Sequence, residues 1–192
     1  MKYPVSIIFA FFLAVSLSHA AAQRELPLAE MADSIRISVN DSDLDEAERA
    51  RAAFRLEMAL KNRPGTIAAD FQIITREGKE TSFLKTLKKG DNIVLFYDPD
   101  CNHCAEVIQY LLDTPALSKA NVIAVDSEED RYLWDATKSQ LPENWTVAYS
   151  LDPIQDTELY VFPEMPTIYI LNQDGTVIMK EATIENLINR LQ

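Results

Sequence analysis

The sequence predicts an α/β protein in which helices flank one central mixed β-sheet, and three observations carry that prediction. The run Asn92 to Tyr97 is almost continuously apolar, as in a strand covered on both faces of a parallel sheet. Asn121 to Asp126 is a second such run, ending in a polar turn, and a helical segment follows each of the two. Near the C-terminus, Asn172-Gln173-Asp174-Gly175 is a hairpin turn between Ile168-Tyr169-Ile170-Leu171 and a last short strand reaching Met179. Strand, helix, strand, helix, hairpin and final helix make up one mixed sheet rather than a bundle or a sandwich.

The bulk properties agree with one domain plus an appendage. The chain has 192 residues, 47% of them apolar, which is ordinary for a globular core. A formal charge of −12 makes nucleic acid or an anionic membrane surface a poor partner and is read as serving solubility. Met1-Lys2, the apolar run Val5 to Leu17 and the small residues Ala20 to Ala22 have the three parts of a secretory signal. The expectation is a cleaved segment over 1–22 and a periplasmic or secreted mature protein, with membrane association only if that segment is kept as an anchor. No cysteine stands directly after it, so lipid attachment there is not expected.

Taken in order, residues 23–64 form a helical N-terminal extension without a chemical motif, and 65–192 form the α/β domain. In the extension, Leu28, Met31 and Ile35 recur at helical spacing. A second helix is expected from Ser42 or Asp43, with Leu44, Ala47, Phe54, Met58 and Leu60 as its apolar positions, ending at Arg63-Pro64-Gly65. Its apolar face is expected to pack on its own domain, a dimerisation or docking arm being the alternative.

Within the domain, a strand is expected near Phe71 to Thr75, a turn at Glu77-Gly78-Lys79, and a short helix over 82–88 with Ser82 as N-cap. After the first central strand, a helix to about Leu112 should bury Ala105, Ile108, Leu111 and Leu112 before Thr114-Pro115 ends it. Residues 128–138 form a helix packed through Leu133 and Trp134. Trp145 to Tyr149 form a short strand or an extended loop, and 156–161 a helical turn. Thr183 caps the last helix, whose buried face carries Ile184, Leu187, Ile188 and Leu191.

The chemistry concentrates in Asp98-Pro99-Asp100-Cys101-Asn102-His103-Cys104, where the first central strand turns into a helix. Cys101 and Cys104 are the only cysteines. At a helix N-terminus the dipole and unpaired N–H groups favour a thiolate on the first, and the spacing lets the second resolve a mixed disulfide. Three other readings compete. A structural disulfide across so short a loop restrains the unfolded chain little. Zinc needs four ligands, and there is no second cysteine pair. Inert core thiols do not suit the polar turn. No metal and no cofactor is expected.

About sixty residues later, Met165-Pro166-Thr167 opens the C-terminal hairpin. Together the two signatures resemble the thioredoxin superfamily over residues 67–192. In that family the proline matching Pro166 follows a cis peptide bond and lies against the cysteine pair. The chain is similar to exported TlpA- and ResA-like proteins of bacterial, bacteroidetes-type envelopes, with which it shares the Asp-Pro-Asp-Cys turn and the segment around Gly78-Lys79 and Ser82. The resemblance implies a thioredoxin-like fold, Cys101 as exposed nucleophile and Cys104 as buried resolving thiol. It also implies a substrate groove at Met165, Pro166 and Thr167. Two departures stand out. Leu95 occupies the place of the buried acid of cytosolic thioredoxins. His103, before the second cysteine, resembles strongly oxidising periplasmic enzymes and would tune the potential by stabilising a Cys101 thiolate.

The expected function is thiol–disulfide exchange with disulfide- or thiol-containing envelope proteins, kept running by an unidentified redox recycling partner. Reduction is the expected direction. Oxidation or isomerisation, and a binding module of the same fold with little catalysis, are the alternatives.

Overall fold

The computed structural model describes residues 44–117, 120–128 and 130–191. The expected signal segment, the first helix of the extension and the helix onset at Ser42 or Asp43 lie outside the described residues. The chain divides into two compact units, Met1–Leu56 and Glu57–Gln192.

In the first unit, helix α1 (Glu46–Leu60, its last residues belonging to the second unit) starts with a capping box. The Glu48 N–H donates to Asp45 Oδ1 at 2.7 Å, and the Asp45 N–H donates to Glu48 Oε2 at 3.0 Å. The expected apolar stripe is buried only in part: Met58 is buried and Leu44 and Leu60 are half-buried, while Phe54 and Ala47 are exposed; Ala52, outside that stripe, is buried as well. Of the helical positions among them, Ala47, Phe54 and Met58 share one face at helical spacing and Leu60 falls off it.

The second unit is built on a seven-stranded sheet in the order β2-β1-β5-β4-β3-β6-β7. The strands are β1 (Gln72–Thr75), β2 (Glu80–Ser82), β3 (Asn92–Tyr97), β4 (Asn121–Asp126), β5 (Thr146–Ser150), β6 (Thr167–Leu171) and β7 (Val177–Met179). β3, β4 and β5 run parallel, while β1 on β5, β6 on β3, and the β1–β2 and β6–β7 hairpins are antiparallel. Helices α2 (Asn102–Asp113) and α3 (Arg131–Thr137) are the crossovers that parallel pairing requires, and α4 (Ile184–Leu191) closes the chain. The mixed α/β sheet expected from the sequence is the observed one.

All six residues of β3 are buried because both faces of the sheet are covered. Val94 and Phe96 point into an aromatic core with Phe71, Phe83, Tyr160 and Tyr169. Ile93, Leu95 and Tyr97 point to the opposite face, against Cys104, Leu111 and Leu187. In α2 the buried stripe runs through Cys104, Val107, Ile108 and Leu111, so Ala105 and Leu112 fall on its flank and are exposed, contrary to expectation. The 3.6-residue period centred on Cys104 leaves no room for them inside.

The short helix after β2 is a single 3-10 turn, Phe83–Thr86, and Ser82 precedes it without capping it. The Ser82 hydroxyl donates instead to Asp70 Oδ2 at 2.5 Å, while Asp70 Oδ1 accepts the Leu84 N–H at 2.9 Å. Gly175 closes the β6–β7 hairpin at φ +86, a conformation that side chains rarely adopt.

Candidate functional site

The site lies where β3 ends. The chain leaves the sheet at Tyr97 and turns at Asp98, whose Oδ1 accepts the Asp100 N–H at 2.8 Å and whose carbonyl accepts the Cys101 N–H at 3.2 Å. That turn sets Cys101 as the N-cap of α2 with extended φ and ψ of −86° and 113°. Its sulfur takes the role a serine or aspartate oxygen usually fills, accepting the Cys104 N–H at 3.2 Å. Cys101 is partly exposed and Cys104 is buried, and both are free thiols.

Across the sheet edge, the chain entering β6 presents Met165 and Pro166, joined by a cis peptide bond. The Met165 carbonyl lies 3.8 Å from Cys101 Sγ, within the reach of a weak S–H donor. Thr167 is buried in β6, and its hydroxyl donates to the Glu164 carbonyl, tying the loop before the proline to the strand after it. Of the residues singled out in the sequence, the fold therefore brings Cys101, Cys104 and Met165 together. His103 is exposed on α2, with Nδ1 3.6 Å from Glu106 Oε2, and shares a cavity of about 300 Å³ with Pro166 and Thr167. Thr167 lines that cavity with its hydroxyl engaged by the Glu164 carbonyl.

Electrostatically the two thiols differ. Burial pushes the Cys104 thiol well above its ordinary value. The Asp98 backbone opposes that shift, while hydrogen bonding with Cys101 and the Asp98 charge add to it. The thiol form of Cys104 is thereby favoured over its thiolate.

A group the sequence analysis missed lies one strand away. Asp126, the last residue of β4, pairs in register with Tyr97 and is fully buried. Its Oδ1 accepts the Glu128 N–H at 2.9 Å, and its Oδ2 has no hydrogen-bond partner among the described residues. Burial, and after it the Asp98, Glu128 and Asp130 charges, push its carboxyl up to about 7 against the pull of the Glu128 N–H. The only sequence signal was an acid closing an apolar strand. Leu95, where the family often has an acid, is fully buried among apolar neighbours. Among the described residues no cluster of His, Cys, Asp or Glu could hold a metal ion.

Neither a family model nor a curated protein matches the sequence. Solved structures do. A thioredoxin-like protein from Bacteroides caccae superimposes with a TM-score of 0.77 at 28% identity, over 83% of this chain and 60% of that one. The chain thus spans less than two thirds of that protein's length. A conserved protein of unknown function from Bacteroides fragilis matches at 30% identity and TM-score 0.63, over 68% of this chain and 99% of its own. The thioredoxin domain of a thiol-disulfide oxidoreductase from Bacteroides vulgatus shares the fold at 21% identity and TM-score 0.55, over 67% and 94% of the two chains. With its mixed sheet, its cysteine pair at the strand-to-helix turn, and its similarity to thioredoxin-like structures from Bacteroides species, the chain belongs to the thioredoxin superfamily and is of bacteroidetes type.

Proposed function

We propose that the chain is an exported thiol–disulfide oxidoreductase that reduces disulfides of envelope proteins. The observation that carries the reading is the asymmetry of the pair: a partly exposed Cys101 sulfur at a helix N-cap, beside the Met165 carbonyl, above a buried Cys104. Cys101 as thiolate attacks one sulfur of a substrate disulfide, and the other substrate sulfur leaves as a thiolate that takes up a proton. A mixed disulfide results. Cys104 loses its proton and attacks Cys101 Sγ, and the second substrate thiol leaves. Two electrons pass to the substrate and the protein pair becomes a disulfide, which a dithiol recycling partner must reduce. The Met165 backbone pairs with an extended substrate segment, as in strand addition.

Several features support this reading. Structural neighbours from Bacteroides vulgatus and Bacteroides thetaiotaomicron are described as thiol-disulfide oxidoreductases. The apolar N-terminal run followed by small residues supports export. Among the described residues no helix is long and apolar enough to cross a membrane. For the direction, the Asp98 charge adds to the upward push on the Cys104 thiol, and the Glu106 carboxylate lies 3.6 Å from His103 Nδ1. Negative charge beside a thiolate destabilises the reduced form and makes the pair a better reductant.

The test is equilibration of the purified protein with glutathione buffers. A reduction potential near about −270 mV or lower is expected, while about −120 to −180 mV would reverse the direction. Failure to exchange at all would overturn the enzymatic reading.

A further inference from the structure

We propose that the groove beside Pro166 selects cationic substrate segments, so that the preferred disulfides are flanked by lysine or arginine. This rests on the oxidoreductase reading, which supplies the site; the groove decides which segments enter it.

The groove encloses about 300 Å³ between α2, the loop entering β6 and the loop between β7 and α4. Its apolar wall comes from Val107, Pro166 and Ile184, and its charged rim from Glu164 and Glu181. Both acids are exposed. Glu164 makes no ion pair among the described residues. Its backbone is fixed, because the carbonyl accepts the Thr167 hydroxyl. Glu164 thus lines the groove with no counter-charge on its carboxylate among the described residues.

Glu181 has one cation nearby, Lys180, at 3.8 Å. That ammonium is shared between the Glu181 carboxylate and backbone carbonyls. Its side chain is 12% exposed, and Nζ donates to the carbonyls of Met58 and Lys61 at 3.1 and 3.0 Å. Glu181 itself is held at φ +54, an unusual conformation for a residue with a side chain, which fixes where its carboxylate leaves the backbone. The remaining basic group on the groove is His103, and Glu106 lies 3.6 Å from its Nδ1. On the other side of Cys101 stand Asp98 and Asp100.

A substrate segment in this groove thus meets an apolar wall and an acidic rim, on which Glu181 is partly offset by Lys180 and Glu164 has no ion-pair partner among the described residues. Lysine and arginine suit both, laying their methylene stems on the wall and their charged ends at the rim. An acidic segment meets repulsion at each position, which discriminates more sharply than attraction alone. Because the rim faces solvent, the effect should act on encounter as well as binding and be screened by salt.

The experiment uses three disulfide-linked peptides of equal length that differ only in the residues flanking cysteine: lysine, glutamine or glutamate. Exchange is followed as kcat/KM at low salt and in high salt. The wild-type protein should act on the lysine peptide roughly three- to tenfold faster than on the glutamate peptide at low salt, and the ratio should shrink toward one in high salt. Glu164→Gln combined with Glu181→Gln should narrow the ratio, whereas Glu80→Gln, at the far edge of the sheet on β2, should not. Equal rates on all three peptides would overturn the proposal and leave the oxidoreductase standing. A ratio unmoved by the double substitution would overturn it too, since the preference would then come from overall charge. No exchange with any peptide would remove the oxidoreductase reading itself.

Discussion

The sulfur of Cys101 accepts the backbone N–H of Cys104 at 3.2 Å and also lies 3.8 Å from the carbonyl of Met165. One contact holds it at the start of α2; the other faces it toward the strand edge where a substrate backbone would pair. The buried thiol one helical turn along has no such opening.

Substituting the two cysteines should therefore have unlike consequences. Cys101→Ser should reduce disulfide exchange to background. Cys104→Ser should still attack and then accumulate the mixed disulfide, seen as a substrate adduct by mass spectrometry under non-reducing conditions. In the reduced native protein, alkylation should modify Cys101 first and reach Cys104, 1% exposed, only on unfolding.

Asp126 should make stability depend on pH. Its carboxyl is raised from an ordinary 3.8 to about 7, mainly by burial. Between those values the native state holds a proton that the unfolded chain has released, so stability falls as pH rises through that window and the loss is constant above it. Asp126→Asn keeps the acceptor for the Glu128 N–H and cannot ionise. It should be more stable than wild type at pH 8 by on the order of 2 kcal/mol, with the difference closing toward pH 4 in chemical denaturation.

Arg76 should not tolerate lysine. Its guanidinium donates to the carbonyls of Leu141, Pro142 and Trp145 at 2.9, 2.9 and 3.0 Å, clamping the segment before β5 to the end of β1. Lysine has a point charge in place of the planar fork and would leave some of these acceptors unpaired. A loss of about 1–3 kcal/mol is expected in urea titrations, with the m-value unchanged.

Phe96→Ala should be among the most damaging core substitutions. Its ring lies 4.7 Å from that of Phe162, 4.9 Å from Tyr160 and 5.8 Å edge-on from Tyr169. Removing it from the middle of a fully buried strand should cost about 3–5 kcal/mol, read as a lower urea midpoint.

Much of this protein was determined locally and could be read from the sequence alone. Apolar runs marked β3 and β4, turn chemistry marked the β6–β7 hairpin, and a three-residue spacing marked the cysteines at a helix start. Each depends on residues a few positions apart, whose pattern survives without the rest of the chain. Exposure within helices was legible only in part. Ala105 and Leu112 were read as buried because the stripe was centred one position from Cys104, and that phase is set by what the helix packs against. Ser82 was read as a cap, but its hydroxyl is taken by Asp70, twelve residues earlier.

Only the tertiary structure decided the meeting of Cys101 with Met165, 64 residues apart, because strand pairing between β3 and β6 carries them to one edge. It also decided that Arg76 closes on a segment more than sixty residues away, that Asp126 is buried beside Tyr97, and that Glu164 and Glu181 share a groove with His103. An arginine or a carboxylate is by default a solvated surface group, and nothing in its neighbouring residues says otherwise. Burial, pairing and uncompensated charge are properties of what the fold places around a side chain, and they exist only once distant segments have packed.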